Sequence, residues 1–275
     1  MAAPPSPDTP LSDLVFTVLD TETTGVDLDH GHGIIELGMV RYSRGKITAA
    51  YSSLFKPSVP QTEEALAIHR IDPAELETAP TFAEAAEGVI EFIGDTVIAA
   101  HNLLFDLTFL DTSLQRLGRP PLGNWAFDTI RLSSELWPEY ECHCLRCLGP
   151  SLELPESGTH RALDDASATA GLLERIIGEL EKNGEYTLRR LHPVRGDFTW
   201  KTGDVHARLR DRLLRAIREE QPLDLLLYNK DECFYYRRLI LPRRLESGLL
   251  RGISPGEKAE FEFPLYNIIS ADPAG

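Results

Sequence analysis

The sequence has no apolar run long enough to cross a membrane. Its longest apolar stretches are short ones such as Leu14 to Leu19, whereas a membrane span needs about 18 apolar residues or more. It has only 4 cysteines in 275 residues, which is too few for a disulfide framework and fits a reducing compartment. The N-terminus lacks the basic segment and the apolar stretch of a secretory signal. We therefore expect a cytoplasmic protein that has no membrane span and is stabilised by packing.

Positive charge is scarce in the first two thirds of the chain. Residues 1–185 contain 30 Asp and Glu against 12 Lys and Arg, a net charge of −18, whereas residues 186–275 contain 13 against 16, a net charge of +3. An acidic domain repels nucleic acid unless divalent cations intervene. The composition, with 42% apolar and 26% charged residues, is that of a globular protein and excludes a largely disordered or fibrous chain.

Strand and helix patterns alternate through the acidic region. Short apolar runs predict four strands, and the turn Ser43-Arg44-Gly45 joins the second to the third. The predicted strands are Leu14–Leu19, Ile34–Tyr42, Ile47–Phe55 and Thr96–Ala100. Apolar residues spaced three and four apart predict helices over Thr62–Ile68, Phe82–Ile93, Leu103–Leu117 and Arg161–Leu180. This mixture predicts an α/β fold, with a mixed sheet flanked by helices.

The periodicity fades between residues 186 and 204, where we place a linker between two domains. Residues 1–13 are rich in proline and are expected to form a disordered tail, and residues 14–185 the first domain. Residues 205–275 are expected to form a small β-rich, barrel-like domain that begins with a helix over Val205–Glu220. Its strands are predicted over Leu225–Tyr228, Phe234–Leu241, Gly248–Ile253 and Ala259–Phe263.

Two carboxylates follow the first predicted strand in the segment Asp20-Thr21-Glu22. Side chains alternate across a strand, so the carboxylates of Asp20 and Glu22 share one face. Paired oxygen ligands of this kind favour a Mg²⁺ or Mn²⁺ site. The alternative is that two acidic residues flank a turn by chance, and the tripeptide alone does not decide between them.

Two further segments carry acidic residues at the start of helices. Asp106 falls in the first turn of its helix, where the helix dipole alone would explain an acidic residue. Asp165 opens the long helix, five residues after His160. Five residues turn a helix by about 500°, which would leave His160 well away from Asp165 if both were helical. His160 is therefore expected in the preceding loop, within reach of a water near a cation held by Asp165.

The three segments together resemble the motifs of the DEDDh class of 3′ to 5′ exonucleases, like the epsilon proofreading subunit of bacterial DNA polymerase III. VLDTETTG resembles the first motif, AHNLLFDLTFL the second and HRALDDA the third, in the same order and spacing. The resemblance implies a ribonuclease H-like fold and hydrolysis of phosphodiester bonds with two Mg²⁺ or Mn²⁺ ions as cofactors. It implies that His160 is the general base and that the metal ligands are Asp20, Glu22, Asp106 and Asp165, with Asp164 excluded by the register.

The resemblance also implies a set of residues around the terminal nucleotide. The segment from Glu63 to Ile71 resembles the family's helix that closes over this nucleotide. The implied substrate-binding residues are Thr23, Thr24, Glu64, Ala65, Ile68, His69 and Phe105. The alternative for His69 is that it only caps the end of an amphipathic helix.

The cysteine-rich segment Cys142-His-Cys-Leu-Arg-Cys147 allows two interpretations. Cysteine and histidine are the preferred ligands of zinc, but no second pair lies at zinc-finger spacing. We expect these cysteines to pack in the core, as small apolar side chains.

Arginines in the C-terminal domain suggest contacts with nucleic acid through phosphates. The candidates are Arg237, Arg238, Arg243, Arg244 and Arg251, and the alternative is a solvated basic face. From Tyr228 to Ile268 the chain weakly resembles the WYL domain, a small β-barrel associated with bacterial regulators. It departs from the signature, because Gly248-Leu249-Leu250 stands in place of Trp-Tyr-Leu.

The expected function is a metal-dependent 3′ to 5′ exonuclease that releases nucleoside 5′-monophosphates. Single-stranded DNA with a free 3′ end is the expected substrate, RNA remains open, and a polymerase or DNA repair protein is a possible partner in proofreading. The alternative is a nucleic-acid-sensing regulator that uses the WYL-like domain, with the nuclease fold as a scaffold. No polymerase-tethering segment is recognisable at the C-terminal end of the sequence.

Overall fold

The computed structural model describes residues 5, 6, 8–28, 30–155, 160–182, 184, 186–188, 205–229, 234–246 and 249–274. The chain divides into two compact units, Met1–Gly203 and Asp204–Gly275, which we call the N-terminal and the C-terminal domain. Within the described ranges, every helix is too short or too polar to cross a membrane.

A five-stranded mixed sheet forms the centre of the N-terminal domain. Its strands are β1 (Phe16–Thr23), β2 (Ile34–Ser43), β3 (Lys46–Leu54), β4 (Val97–Ala100) and β5 (Ala126–Asp128). Their order in the sheet is β3-β2-β1-β4-β5. The first three strands are antiparallel, and β4 and β5 run parallel to β1. The predicted mixed sheet and its hairpin are thereby confirmed, and β1 lies in the middle.

Seven helices are seen in the described part of this domain. They are α1 (Glu63–His69), α2 (Pro73–Glu77), α3 (Phe82–Ile93), α4 (Leu103–Arg116), α5 (Thr129–Leu136), α6 (Leu145–Leu152) and α7 (Ala162–Lys182). Local signals explain the ends of α3: Thr81 and Glu84 form a capping box, and Gly94 ends the helix with a φ of 52° that favours glycine. The predicted helices lie at these positions.

Helices cover both faces of the sheet because the side chains of β1 alternate. Phe16 and Val18 point to one core, where residues of α7 such as Leu172 and Ile176 pack. Leu19 points to the opposite core, which α3 and α4 complete. This alternation continues along β1, so Asp20 and Glu22 extend the face that α7 covers.

The limits predicted for the N-terminal domain are too narrow. Leu11 is only 2% exposed and belongs to a 3-10 helix over Leu11–Asp13. Its backbone nitrogen donates a hydrogen bond of 2.9 Å to the carbonyl oxygen of Tyr186, and Leu188 is fully buried in the same core. The prediction of a disordered tail is therefore wrong from Pro10 onward, and Tyr186 to Leu188 belong to the domain, because their apolar side chains complete its core.

The expectation that three cysteines pack in the core is also wrong. Cys142 and Cys147 form a disulfide, Cys142 and Cys144 are half-buried, and Cys147 is exposed. Leu145 and Leu148 take the buried positions of α6 instead. The larger apolar side chains fill the core and leave the sulfur atoms at the surface.

The C-terminal domain has an antiparallel sheet and one long helix. The helix is α8 (Val205–Glu219), and the strands are β6 (Leu223–Asn229), β7 (Phe234–Glu246), β8 (Leu249–Ser254), β9 (Ala259–Pro264) and β10 (Ile268–Pro273). Their order is β10-β6-β7-β8-β9, so hydrogen bonds among the described strands leave two edges and do not close a barrel. The β-rich prediction is confirmed. Strand β10 was not predicted, because its Ser, Asp and Pro residues are uncommon in strands.

Candidate active site

The four carboxylates predicted as metal ligands lie around the end of β1. Asp20 and Glu22 are half-buried on this strand. Asp106 in the first turn of α4 is 2% exposed, and Asp165 in the first turn of α7 is 8% exposed. Strand alternation and the two covering helices thus bring together acidic residues that are up to 145 positions apart in the sequence.

Burial raises the pKa values of three of these carboxyl groups, Asp20, Glu22 and Asp106. The pKa of Asp20 is raised well above its ordinary value by burial, and then by the charges of Asp106, Glu22 and Asp165. Burial is also the main cause that raises the pKa of Glu22 to about 9 and that of Asp106 to about 8. Such groups ionise together only when positive charge is near, and hard oxygen donors suit Mg²⁺ or Mn²⁺. The donor set therefore fits divalent cations.

Asp106 is held in place by two residues that sequence analysis missed. The hydroxyl of Thr21 donates a hydrogen bond of 2.7 Å to Oδ1 of Asp106. Asp128 accepts from the backbone nitrogen of Leu103 at 3.0 Å and from that of Ile130 at 2.9 Å, and so caps the first turns of α4 and α5. The position of Asp128 directly before a helix is an N-cap signal that could have revealed this role.

His160 lies outside α7, as the helical spacing predicts, and its φ is 50°. One ring nitrogen of His160 and one carboxylate oxygen each of Glu22 and Asp165 all lie within 4.8 Å of one another. His160 is exposed, whereas Asp165 is buried. The neighbouring Asp164 is exposed, so the structure places Asp165 in the cluster and Asp164 on the surface.

An ion pair between buried Glu36 and exposed Arg161 joins the third motif to the sheet. Glu36 on β2 is 2% exposed, and its Oε1 accepts hydrogen bonds of 3.0 and 2.9 Å from Nε and Nη2 of Arg161. Its Oε2 accepts from the backbone nitrogen of Ala162 at 3.1 Å, so Glu36 also caps the start of α7. The Glu36 carboxylate raises the pKa of Arg161. This arrangement fixes the backbone on the C-terminal side of His160, and sequence analysis did not find it.

Close approach of α7 to the sheet depends on Gly38. This residue pairs with Asp20 across the β1–β2 ladder. A Cβ atom at Gly38 would lie 2.2 Å from the backbone carbon of Ala162 and the backbone nitrogen of Leu163. Glycine is thus the residue that lets the start of α7, with Asp165, pack directly against β2.

Comparison with known proteins identifies the domain that holds this cluster. A family model described as exonuclease matches residues 17–173. The chain belongs to the exonuclease family. The match contains all four carboxylates and His160, and the N-terminal domain is therefore the exonuclease domain. This family generally uses divalent metal ions. The match does not extend to the C-terminal domain, whose resemblance to the WYL domain stays a prediction.

Individual relatives support the same assignment. The PolC-type DNA polymerase III of Staphylococcus aureus is 32% identical over 177 residues, which are 64% of this chain and 12% of the polymerase. A structure of exonuclease X in complex with 5′ overhanging duplex DNA is 29% identical, with a TM-score of 0.51 over 66% of this chain and 99% of that one. The matched part of the chain thus corresponds to a small part of the curated polymerase and to nearly all of the protein chain in the exonuclease X structure.

A more distant structure shows the fold alone. The nuclease domain of 3′hExo, a DEDDh family member bound to rAMP, is 16% identical, with a TM-score of 0.53 over 65% of this chain and 97% of that one. The predicted ribonuclease H-like fold is confirmed by these likenesses together with the family match.

The residues expected to bind the terminal nucleotide differ in their exposure. In α1 of the exonuclease domain, Glu64 and Ile68 are exposed and Ala65 is half-buried, while His69 is 3% exposed. Nδ1 of His69 accepts a hydrogen bond of 3.0 Å from the backbone nitrogen of Ile71, and burial lowers its pKa. The substrate role of these residues stays a prediction.

The remaining substrate-binding candidates lie at the ends of β1 and α4. Thr23 and Thr24 are buried, and the backbone oxygen of Thr24 accepts from the backbone nitrogen of Thr62, which places the start of α1 beside the end of β1. Phe105 is half-buried, and its ring centroid lies 4.9 Å from that of Phe109. Thr23 and Thr24 thus directly follow Glu22 in the chain, and Phe105 directly precedes Asp106.

The five arginines predicted to contact phosphates are all engaged in ion pairs. Arg237 lies 3.0 Å from Asp224, Arg238 lies 3.7 Å from Glu257, and Arg251 lies 2.7 Å from Glu262. The two others pair with the carboxylates of Glu220 and Glu246: Arg243 with the first and Arg244 with the second. Each of these positive charges thus has an acidic neighbour, and contact of the arginines with nucleic acid stays a prediction.

Proposed function

We propose that this protein is a metal-dependent 3′ to 5′ exonuclease that hydrolyses DNA from its 3′ end and releases nucleoside 5′-monophosphates. The observation that carries the proposal is the convergence of four carboxylates beside an exposed histidine in a domain of the exonuclease family. Holding like charges together costs stability, and a binding scaffold has no need of it. The cluster therefore favours catalysis over the alternative of a regulator.

The proposed cofactors are two Mg²⁺ or Mn²⁺ ions, held by Asp20, Glu22, Asp106 and Asp165. When bound, such ions supply positive charge to the scissile phosphate and favour ionisation of the attacking water. His160 accepts the proton of the attacking water through a ring nitrogen, because imidazole is the most common general base in enzymes and because this ring lies beside Glu22 and Asp165. Glu36 and Arg161 fix the backbone beside it.

The proposed substrate end is a single-stranded 3′ terminus of DNA. Helix α1 leaves Ile68 53% and Leu66 37% exposed, so apolar side chains are available to the base of a terminal nucleotide. The likeness to exonuclease X, solved with DNA, supports DNA as the substrate. The likeness to a PolC-type polymerase supports a role beside DNA synthesis or repair, with a polymerase or repair protein as the proposed partner.

The direct test is hydrolysis of a 5′-labelled oligonucleotide in Mg²⁺ and in Mn²⁺. We expect a ladder that shortens from the 3′ end, nucleoside 5′-monophosphates in the soluble fraction, and no reaction in EDTA. Matched DNA and RNA strands, single-stranded and double-stranded, identify the preferred substrate. Nucleoside 3′-monophosphates, or shortening from the 5′ end, would contradict the proposal.

A pair of neighbouring variants controls for effects on folding. Asp165→Asn removes a buried carboxylate of the cluster, whereas Asp164→Asn changes an exposed one on the same helical turn. We expect the first to lose activity and the second to retain it. Equal activity of the two variants would overturn the assignment of Asp165.

A further inference from the structure

A second cluster of ligand atoms lies outside the carboxylate site, in the residues just before α6 and in the first turn of that helix. The sulfur atoms of Cys142, Cys144 and Cys147 offer three ligand atoms that all lie within 4.8 Å of one another. The disulfide described above joins the first to the third. Since Cys147 is exposed and the other two are half-buried, solvent has access to the cluster.

The backbone is folded around these sulfur atoms. Cys144 is the N-cap of α6, and its Sγ accepts a hydrogen bond of 3.4 Å from the backbone nitrogen of Cys147. The Sγ of Cys142 lies 3.3 Å from that of Cys144. Backbone N–H groups at the start of a helix favour sulfur in its anionic form, which is the form that binds metal ions.

We propose that, in the thiol form of the protein, Cys142, Cys144 and Cys147 bind one thiophilic divalent cation such as Zn²⁺. Three protein thiolates with a fourth ligand from solvent make a tetrahedral site of the kind that zinc occupies. Mg²⁺ and Mn²⁺ do not compete well at this site, because soft sulfur ligands select Zn²⁺ over these two ions. The two metal centres of the chain are thereby separated by ligand chemistry.

The disulfide and the metal site exclude each other. Reduction by a dithiol breaks the bond between Cys142 and Cys147, transfers two electrons and two protons to their sulfur atoms, and converts the dithiol into its own disulfide. The cation then displaces the thiol protons as it binds. Binding therefore requires reduction first, and the bound cation protects the thiols from oxidation.

The proposed site fastens a segment that packs on the core. His143, between the first two cysteines, is 3% exposed, and its Nδ1 lies 3.1 Å from the hydroxyl of Ser133 in α5. Leu145 and Leu148 in α6 pack in the core beside α7. A cation bound to all three sulfur atoms would join both sides of this buried stretch, so binding is expected to raise the melting temperature by mass action.

The test is a titration of the reduced full-length chain with Co²⁺ and then Zn²⁺, in excess Mg²⁺ to occupy the carboxylates. We expect a sulfur-to-cobalt charge-transfer band that saturates at one equivalent and disappears when Zn²⁺ replaces Co²⁺. Oxygen and nitrogen ligands give no such band, so the readout is independent of nuclease activity and of the proposed function.

Single Cys→Ser variants assign the ligands. Cys142→Ser, Cys144→Ser and Cys147→Ser should each weaken Zn²⁺ binding by about 100-fold or more, since even the loss of a supporting partner costs roughly 10- to 100-fold at other metal sites. Cys233→Ser is the control and should bind as the unchanged chain does. The proposal is overturned if the reduced chain, with four titratable thiols, gives no charge-transfer band, or if Cys233→Ser weakens binding equally.

Discussion

Acidic side chains are arranged in opposite ways in the two domains. In the exonuclease domain, Asp20, Glu22, Asp106 and Asp165 converge at the end of β1. Burial raises the pKa values of the first three, and repulsion from the neighbouring carboxylates adds to the rise for Asp20 and Glu22. In the C-terminal domain, acidic residues such as Asp224 and Glu262 lie beside arginines that neutralise them. A charged group that is already paired serves the fold, whereas a cluster of like charges needs a ligand from outside.

The largest difference between the two domains should appear when one acidic charge is removed from each. We expect Asp20→Asn to reduce turnover by at least about 100-fold, which is roughly 2.7 kcal/mol of transition-state stabilisation. Asp224→Asn, its control in the C-terminal domain, should leave turnover on a short oligonucleotide unchanged. Rates under saturating metal check both, and a loss of less than about tenfold in Asp20→Asn would contradict the metal-ligand role.

Adding one methyl group to the exonuclease domain should have the next largest effect. Gly38→Ala forces α7 away from β2 and moves Asp165, and a displacement of about 1 Å can cost 10²-fold in rate. Gly178→Ala on α7 is the control, because a Cβ atom there meets nothing within 4 Å. Turnover and the melting temperature of both variants would be compared, and an active Gly38→Ala would show that α7 tolerates a shift.

The two domains should also respond differently to pH when no metal is present. A carboxyl group whose pKa is raised by folding contributes stability at low pH and loses it as the pH rises. For Glu22 this loss begins near its ordinary pKa of 4.5 and is complete near 9, and for Asp106 it is complete near 8.

We therefore expect the metal-free melting temperature of the exonuclease domain to fall by about 5 to 10 °C between roughly pH 6 and pH 9. Mg²⁺ should cancel most of this fall, because it binds the ionised carboxylates. Calorimetry of the full chain, with and without Mg²⁺, measures the change. A metal-free transition that does not move with pH would show that the carboxylates are not held together.

The smallest effect should be that of the paired arginines on DNA binding. A free arginine that meets a phosphate of a single strand contributes about 0.7 to the slope of log affinity against log salt. Because Arg237 already pairs with Asp224 and Asp272, we expect Arg237→Ala to change the slope by less than this amount. Binding curves in Ca²⁺ at several salt concentrations check this expectation. A change of about 0.7 in the slope would instead support the phosphate contact predicted from the sequence.

Local patterns in the sequence were sufficient to predict much of the exonuclease domain. The hairpin of β2 and β3 follows from two apolar runs around Ser43-Arg44-Gly45, and α3 follows from apolar residues spaced three and four apart over Phe82–Ile93. The position of His160 outside α7 follows from its spacing to Asp165. Each of these signals is contained within a few neighbouring residues, so it can be interpreted before the fold is known.

Contacts between distant segments could not be predicted in this way. Nothing near Glu36 indicates that it will be buried and paired with Arg161 at the surface, and nothing near Gly38 indicates that a helix backbone will lie against it. Leu11 and Leu188 look like parts of polar segments until the core that receives them is known. The sequence therefore predicted the residues of the carboxylate cluster more fully than the residues that hold the cluster in position.

The ion pair between Glu36 and Arg161 has a consequence for the order of folding. Its partners are separated by 125 residues, so the contact closes a very long loop and forms late. During synthesis, a nascent chain that has emerged only as far as β5 has Asp20, Glu22 and Asp106 but no partner for Glu36. The site is assembled only when α7 arrives, and a truncated chain that lacks this helix leaves the α7-facing side of the sheet, with Glu36, uncovered. Premature termination before residue 161 should thus yield an unstable fragment that proteases remove, and no partly active nuclease.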